Sequence, residues 1–430
     1  MKSNYIGPQT IIEKKNTYML PCSAHFYKHP PQITRGEMQY LYDENGKKYL
    51  DFFSGVSVMN FGHCNEEITQ TTIQQIHTLQ HTTTVYLNQP IVDLAEKLAF
   101  TLPGNLKKSF FCLSGSEANE GAMLLAKLHT GKEEFIYLQG GLHGRTHLTM
   151  SVNGIEMWRT SPTPVPGTHE AMSFYPDIKN YDFDLEISMD HSLKNINSIL
   201  EKRKNKIAAL IIEPIQGNGG ILTPHMKYFE KLHTLLKSHQ TLLIVDEVQT
   251  GFARTGKMFA IEHFNVIPDI MTMAKALGNG QPISAFVTTD EIASSFTKPS
   301  ASTLGGNPVS SATAIAVLDY IQKHQLCAQS TAKGNDLKNG LSYLQEKYPI
   351  IRDVRGIGLM QGAELVENNL PAGEKLEVIM EEMKNRGIFI GKNGIHRNVL
   401  AFQPPLIITK EDIHHCINTL DEVLNLVTKG

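Results

Sequence analysis

The chain has 430 residues, of which 41% are hydrophobic and 19% charged, with a formal net charge of −3. This composition is that of an ordinary globular protein with a large core. The sequence has no block of basic residues, so a nucleic-acid or membrane partner is not expected. No apolar run reaches the length of a membrane span, the N-terminal residues lack a signal-peptide core, and the five scattered cysteines form no CxxC pair, so a cytoplasmic protein without a metal site or disulfide framework is expected.

Short apolar runs alternate with helix-like stretches through the middle of the chain. The runs cover residues 110–113, 135–138, 208–213, 241–245, 270–274 and 284–288, and a helix is predicted from residue 117 to about 129. Continuous apolar runs separated by helices predict a parallel sheet that is buried on both faces. Ligands bind at the carboxyl ends of such strands, so the polar residues that close these runs are the first candidates for chemistry.

The two ends of the chain have a different pattern. Residues 40–53 are predicted to form strands, and residues after 326 are predicted to form three helices (331–346, 374–386 and 411–427) with strand-like residues around 351–365. We therefore predict a large domain over residues 61–325 and a smaller α+β domain built from residues 1–60 and 326–430. The proline-rich segment 154–184 is predicted to be a long surface loop over a site.

A carboxylate closes one of the apolar runs. Asp246 follows Leu242–Val245 and precedes Glu247, Val248 and Gln249. A carboxylate at the end of a buried strand can pair with the protonated nitrogen of a heteroaromatic ring. The alternative is an aspartate that caps the next helix.

A lysine lies inside the next apolar run. Lys275 follows Met271–Ala274, and glycines follow at positions 278 and 280. Desolvation lowers the pKa of a lysine, which suits imine formation and proton transfer. The alternative is a lysine whose amine reaches solvent from a strand end, but the glycines favour a tight turn with a close backbone approach.

Two segments of small residues open helices. Residues 114–119 (SGSEAN) join a strand to a helix, where free N–H groups can bind a phosphate, although an ordinary helix cap has the same pattern. Residues 303–308 (TLGGNP) form a second candidate. A lysine, a strand-end carboxylate, a phosphate site and groups that pack on the ring are the requirements of pyridoxal 5′-phosphate (PLP), which is therefore the predicted cofactor.

Taken together, these motifs resemble the class III aminotransferases, a branch of the fold-type-I PLP enzymes. The resemblance runs from Tyr42 to Leu406 and includes the spacing of Asp246 and Lys275. It implies an α/β fold whose large domain has a mostly parallel seven-stranded sheet, with a smaller α+β domain from both chain ends. It also implies a small-molecule amine substrate and a homodimer, or a dimer of dimers, with shared active sites.

The resemblance assigns a role to each motif. Lys275 would form the Schiff base and move the proton, and Asp246 would bind the pyridine nitrogen. The other cofactor contacts would be Val248 on the ring face, Gln249 at the phenolic oxygen, Gly115 and Ser116 at the phosphate, and Thr303 at the phosphate of the neighbouring subunit. Glu213 matches a glutamate near the substrate, with a structural acid that pairs with an arginine as the alternative. Phe53, Arg254, Arg397 and Ala401 would lie on the substrate side.

Two positions depart from the family pattern. Leu142 precedes His143 where relatives usually carry an aromatic residue that stacks on the ring, so packing there would be aliphatic; His143 would lie near the cofactor or in the layer behind it. Ala401 occupies the position of an arginine that grips the α-carboxylate of amino and keto acids, so a bidentate clamp is missing. Arg397 and Lys392 are near in sequence.

These features leave two reactions open. The first is transamination of a small primary amine with a keto-acid acceptor. The alternative is an ammonia-lyase that eliminates from a 2-amino alcohol with an anionic tail, such as a hydroxylated aminoethylphosphonate. Arg35, Arg145, Arg159, Arg254 and Arg397 are the candidate partners for a distal anion. A catalytically inactive homologue is disfavoured by the presence of both Lys275 and Asp246.

Overall fold

A computed structural model describes residues 5–175 and 184–429. The strands are β1 (Ile33–Glu37), β2 (Tyr40–Asp43), β3 (Lys48–Asp51), β4 (Lys108–Cys112), β5 (Glu134–Leu138), β6 (Thr168–Ala171), β7 (Ile207–Ile212), β8 (Leu242–Asp246), β9 (Ile270–Met273), β10 (Ser284–Thr288), β11 (Ile351–Ile357), β12 (Met360–Glu367), β13 (Leu370–Pro371), β14 (Ile388–Phe389), β15 (Gly391–Asn393) and β16 (Val399–Phe402). The helices are α1 (Pro8–Tyr18), α2 (Glu66–Thr78), α3 (Gln89–Ala99), α4 (Gly115–Thr130), α5 (His147–Ser151), α6 (Leu185–Lys202), α7 (Tyr228–Ser238), α8 (Asp290–Ala293), α9 (Pro308–Lys323), α10 (Leu326–Lys347), α11 (Gly373–Asn385) and α12 (Lys410–Lys429). Within these described ranges, no helix combines the length and apolar character needed to cross a bilayer.

The central sheet has seven strands in the order β4-β10-β9-β8-β7-β5-β6. Only β10 runs against its neighbours, since it pairs antiparallel with both β4 and β9. Every residue of β7 is buried, as expected for a strand that is covered by helices on both faces. The predicted mostly parallel seven-stranded sheet is confirmed, and the carboxyl ends of β7, β8 and β9 meet at one edge.

The edge strand β6 corrects the prediction of a continuous loop over residues 154–184. Thr168–Ala171 pairs in parallel with β5, although only Ala171 of this strand is buried. An edge strand with a single buried residue needs no periodic apolar pattern, so this strand has no sequence pattern that predicts it. Residues 176–183 of the predicted loop lie outside the described part of the chain.

Two smaller sheets lie beside the central one. The first has the order β1-β2-β3-β14, in which β3 and β14 pair in parallel, so residues from both ends of the chain share one sheet. The second has the order β11-β12-β16-β15, with β13 paired to β12. The domain boundaries at residues 60 and 325 stay a prediction.

A left-handed turn follows β3. Ser54, Gly55, Val56 and Ser57 all have positive φ, between 51° and 67°, which is rare for a β-branched residue such as Val56. Asp51 holds the start of this turn, because its Oδ1 accepts from the backbone N–H groups of Phe53 and Ser54, both at 2.8 Å. The turn delivers Val58 to the wall of the cavity described next.

Candidate active site

A cavity of about 460 Å³ opens at the carboxyl ends of β7, β8 and β9. Nine of the predicted site residues line it: Gly115, Ser116, Leu142, His143, Glu213, Asp246, Val248, Gln249 and Lys275. Five others do not: Phe53, Arg254, Thr303, Arg397 and Ala401. The structure therefore brings all the predicted cofactor residues except Thr303 together and leaves the four predicted substrate residues outside the cavity.

Lys275 comes two residues after β9 and begins a short 3-10 turn, Lys275–Leu277, with a φ of 45°. Burial lowers the pKa of its amine, and the nearby carboxylates of Asp246 and Glu213 oppose this shift. A lowered pKa increases the fraction of neutral, nucleophilic amine. The predicted turn is present, and Gly278 is required in it, because a Cβ there would lie 2.0 Å from the carbonyl oxygen of Gln281.

Asp246 ends β8 and is fixed by three hydrogen bonds. Its Oδ2 accepts from Nδ1 of His143 at 2.9 Å and from Nδ2 of Asn119 at 2.8 Å, and its Oδ1 accepts from the backbone N–H of Val248 at 3.0 Å. Thr272 in turn donates to Oδ1 of Asn119 at 2.6 Å. His143 therefore orients the carboxylate of Asp246 and also lines the cavity.

Asn119 is a site residue that the sequence reasoning did not single out. It lies on α4 one turn after Ser116, so both side chains emerge on one face of the helix. Besides Asp246, its amide donates to the carbonyl oxygen of His143 at 2.7 Å. The signal was the spacing of three residues between Ser116 and Asn119, which is a helical repeat.

The N-terminus of α4 forms one end of the cavity. Ser114 caps the helix, since its Oγ accepts from the backbone N–H of Glu117 at 3.2 Å. Gly115 is packed against Val248, and a Cβ on Gly115 would lie 2.9 Å from Cγ1 of Val248. The free N–H groups and the positive end of the helix dipole suit a phosphate here.

The loop that contains Thr303 is tied to the same helix. Oγ of Ser302 donates to Oε1 of Glu117 at 3.3 Å, while Thr303 itself is exposed. Thr303 does not reach the cavity of its own chain. A contact from Thr303 to a cofactor thus requires a second subunit.

Leu142 and Gln249 are two further residues of the cavity lining. Leu142 places an aliphatic side chain in the cavity wall, and Trp158, which the sequence reasoning overlooked, places an aromatic ring there. The packing of Leu142 on the cofactor ring stays a prediction. Gln249 is buried and packs on Gly217, and its Oε1 has no hydrogen-bond partner among the described residues. Its Nε2 donates to Oε1 of Gln403 at 3.5 Å.

The residues around the cavity fit PLP. They combine the desolvated amine of Lys275, the oriented carboxylate of Asp246, the N-terminus of α4 and the buried amide of Gln249, whose Oε1 has no hydrogen-bond partner among the described residues. The arrangement meets the requirements of the ring nitrogen, the phosphate and the covalent link at the same time. The volume is also sufficient for a cofactor and a small substrate.

The predicted cationic partner Arg254 needs correction. Its guanidinium is completely buried and donates to the carbonyl oxygens of Leu359 (2.8 Å) and Pro404 (2.6 Å) and to Oδ1 of Asn60. Burial lowers the pKa of Arg254 to about 9. This arginine joins three segments of the fold and is not available to a substrate anion.

The other predicted cations do not line the cavity either, with one exception. Arg397 packs over the ring of Phe26, 5.4 Å from its centroid, and Lys392 is paired with Glu377 at 2.9 Å. Arg35 is paired with Glu37. Arg159 contacts Tyr137 and Glu170. Arg145 alone lines the cavity, at the phosphate end, where its backbone N–H donates to Oγ of Ser116 at 3.1 Å.

Ala401 lies beneath an apolar layer. Its direct neighbours on the two adjacent strands are Gly362 and Gly391, so no long side chain rises from this part of the sheet. Ala401 packs in a buried cluster with Ile215, Ile221 and Met360, and Phe53 packs against the same cluster. The ring of Phe53 covers Gly391, where a Cβ would lie 2.2 Å from the ring.

Comparisons with known proteins agree with this geometry. The model of the class III aminotransferase family matches residues 23–424. An alanine–glyoxylate aminotransferase 2 homologue of Arabidopsis thaliana is 41% identical over 430 residues, which cover 97% of this chain and 88% of that protein.

Two solved structures show the same architecture. An amine transaminase from an uncultivated Pseudomonas species, in a PLP-bound form, has 27% identity, covers 95% of this chain and 98% of its own, and superposes with a TM-score of 0.89. A phospholyase from Arthrobacter, in complex with phosphoethanolamine, has 31% identity, covers 96% and 99% of the two chains, and has a TM-score of 0.90.

Proposed function

We propose that this chain, which belongs to the class III aminotransferase family and is a PLP-dependent fold-type-I enzyme, transfers the amino group of small primary amines that lack an α-carboxylate. The observation that carries the proposal is Ala401. Where a family arginine would grip an α-carboxylate, this chain has a methyl group covered by apolar side chains. A carboxylate placed there would lose its hydration without gaining a partner.

The residues of the cavity divide the chemistry between them. When PLP is bound, it supplies a carbonyl for the amine and an electron sink for the adjacent carbon. We assign to Nζ of Lys275 the covalent link and the removal of the proton from the amine-bearing carbon of the substrate. Asp246 holds the proton of the ring nitrogen, and His143 and Asn119 hold Asp246 in place. Val248 and Leu142 would pack against the ring, and Gln249 would contact its phenolic oxygen.

The phosphate end of the site is assigned to α4 and to a second subunit. Gly115 and Ser116 offer the helix N-terminus, and Thr303 would contact the phosphate held by the neighbouring chain. The exposure of Thr303 and its anchor through Ser302 and Glu117 support a homodimer with shared sites.

The lyase alternative is not favoured. The relative with 41% identity is named an aminotransferase, and the matching family model is that of aminotransferases. The cation nearest the cavity, Arg145, also lies at the end assigned to the cofactor phosphate, so it is a poor partner for a substrate phosphonate or phosphate.

A donor panel tests the proposal. Butylamine, 1-phenylethylamine, alanine and glutamate are compared as donors to the holoenzyme, with and without pyruvate, while ammonia and the cofactor spectrum are recorded. Transamination of the simple amines is expected, with one turnover per site when pyruvate is left out. Alanine or glutamate as the better donor would contradict the substrate class, and continuous ammonia release without pyruvate would contradict the reaction type.

A further inference from the structure

Glu213 is a carboxyl group of the cavity wall whose role is open. It directly follows β7 and is 4% exposed, yet it lines the cavity. Its Oε1 accepts from the backbone N–H of Leu142 at 2.9 Å, and its Oε2 accepts from that of Gly217 at 3.0 Å. Each oxygen can form a further hydrogen bond, so the group is oriented by the backbone and still able to contact a ligand.

No lysine or arginine of the described residues lies within ion-pair distance of Glu213. The charged or titratable groups that face it are His143, Asp246 and Lys275. Of these, His143 is engaged with Asp246, and Lys275 is the proposed covalent anchor. The alternative of a structural acid paired with an arginine therefore does not hold for Glu213.

This environment favours the neutral acid. Burial raises the pKa of Glu213 to about 7; His143 and the two backbone N–H groups act to lower it, while Asp246 raises it further. Near neutral pH the carboxyl group of Glu213 can therefore be protonated, and donate a hydrogen bond, or be ionised, and only accept one. The ligand that binds decides which form is favoured.

The second half of the proposed reaction creates a need for such a group. A keto-acid acceptor brings a carboxylate into a site that lacks the arginine clamp. Arg254 donates to main-chain oxygens, Arg355 is paired with Asp353 and Glu364, and Lys392 is paired with Glu377. None of these three side chains is therefore free to bind the acceptor, and Arg145, the arginine that lines the cavity, lies at the end assigned to the cofactor phosphate.

We propose that Glu213, as a neutral acid, donates its O–H to the carboxylate of the keto-acid acceptor. The same cavity can then bind an amine without a carboxylate in the first half-reaction and an anionic acceptor in the second. The proposal rests on the function proposed above. A hydrogen bond between an acid and a carboxylate is short and strong in a desolvated site. The amine donor needs no such contact, so Glu213 can ionise when the acceptor has left.

The proposal links acceptor binding to a proton. A carboxylate ligand favours the protonated form of Glu213, so binding takes up a proton at pH values where the free group is ionised. Affinity for a carboxylate is expected to be constant below the pKa and to fall by up to about tenfold per pH unit above it.

Calorimetry with an unreactive carboxylate tests this link. Propionate is titrated into the holoenzyme from pH 6 to pH 8.5, each time in two buffers with different ionisation enthalpies, so that proton uptake is measured directly. The wild type is expected to take up as much as one proton per site above pH 7. Glu213→Gln, whose amide N–H can still donate, is expected to bind propionate with an affinity independent of pH and without proton uptake.

Two controls make the outcome specific. The visible absorbance of the cofactor, recorded in the same titrations, reports proton binding at the Lys275 link and separates it from Glu213. Glu247→Gln removes a second buried carboxyl whose pKa is raised to about 7 but which lies outside the cavity, and it should leave the proton uptake unchanged.

Proton uptake that persists in Glu213→Gln with an unchanged cofactor spectrum would overturn the proposal, as would pH-independent propionate binding to the wild type. The experiment contains no amino donor. Its failure is therefore distinct from a failure of the proposed function, which the donor panel detects.

Discussion

Nδ1 of His143 donates to Oδ2 of Asp246 across 2.9 Å, and both side chains are almost completely buried. Asn119 donates to the same oxygen, so the carboxylate has one orientation relative to the cavity. The other oxygen, Oδ1, accepts from the backbone N–H of Val248, so both oxygens of the carboxylate are held. Each partner of Asp246 can be removed separately.

Asp246→Asn is expected to lower kcat by about 10³-fold or more while the protein still folds and binds some PLP. An amide cannot hold the ring proton electrostatically, so the electron sink weakens. Asn119→Ala, which removes one orienting bond and keeps the carboxylate, should cost only about 10-fold to 100-fold. Single-turnover kinetics with one amine compare the variants, and near-normal rates in Asp246→Asn would refute its assignment.

Lys275→Ala should abolish turnover and leave PLP bound without a covalent link. The reason is that no other lysine lines the cavity within the described residues. Borohydride reduction followed by peptide mass spectrometry should locate the cofactor on Lys275 in the wild type. Lys257→Ala, which changes an exposed lysine nearby in sequence, is the matched control and should retain both label and activity. A label on any other lysine contradicts the assignment.

Gly115→Ala should weaken PLP binding by about tenfold, because the new methyl group would lie 2.9 Å from Cγ1 of Val248 and would push this stiff side chain toward the ring. The double variant Gly115→Ala with Val248→Ala removes the clash. It should recover part of the affinity, as measured by fluorescence titration of the apoenzyme with PLP. A double variant weaker than the sum of both single changes would show that the contact is not the cause.

Subunit mixing tests whether Thr303 acts across a dimer interface. Thr303→Ala and Lys275→Ala are co-expressed with different affinity tags, and the heterodimer is purified. If Thr303 serves the partner, one of the two sites has both residues intact, and about half the wild-type activity per dimer is expected. If Thr303 acts in its own chain, neither site is intact and no recovery occurs. A monomer by light scattering with full PLP content would exclude the shared site altogether.

The buried carboxyl of Glu247 predicts a pH-dependent stability. Its pKa is raised to about 7, chiefly by burial, above the ordinary value of 4.5. Between these values the folded state binds more protons than the unfolded state, so the contribution of Glu247 falls as pH rises from about 4.5 to 7 and stays low above 7. Glu247→Gln should therefore raise the melting temperature at pH 8 relative to the wild type more than at pH 5. An equal shift at both pH values would contradict this linkage.

The sequence located Lys275, Asp246 and the start of α4 because each lies at, or within three residues of, the carboxyl end of a strand of the central sheet. The carboxyl ends of such strands meet at one edge, so chain position is enough to place these residues together. The helices α4, α10, α11 and α12 were predicted within a few residues at most ends. The strand β6 was missed, because an edge strand with one buried residue has no pattern to detect.

The placement of two other residues, Arg254 and Trp158, could not be derived from their position along the chain. Arg254 follows the cofactor acid closely in sequence, but the chain turns there and directs the guanidinium to carbonyl oxygens from distant segments. Trp158 lies in a stretch without periodicity, and its place at the rim depends on the path of the whole segment after α5. Such contacts depend on tertiary packing, which local patterns do not encode.

The parallel pairing of β3 with β14 has a consequence for the order of folding during synthesis. The strand that contains Leu50 cannot pair with β14 until Ile388, near the other end of the chain, has left the ribosome. The central sheet, whose strands are close in sequence, can form long before that. Until then, the edge of β3 stays open to other chains, so a nascent or C-terminally truncated protein should depend on chaperones more than the finished enzyme does.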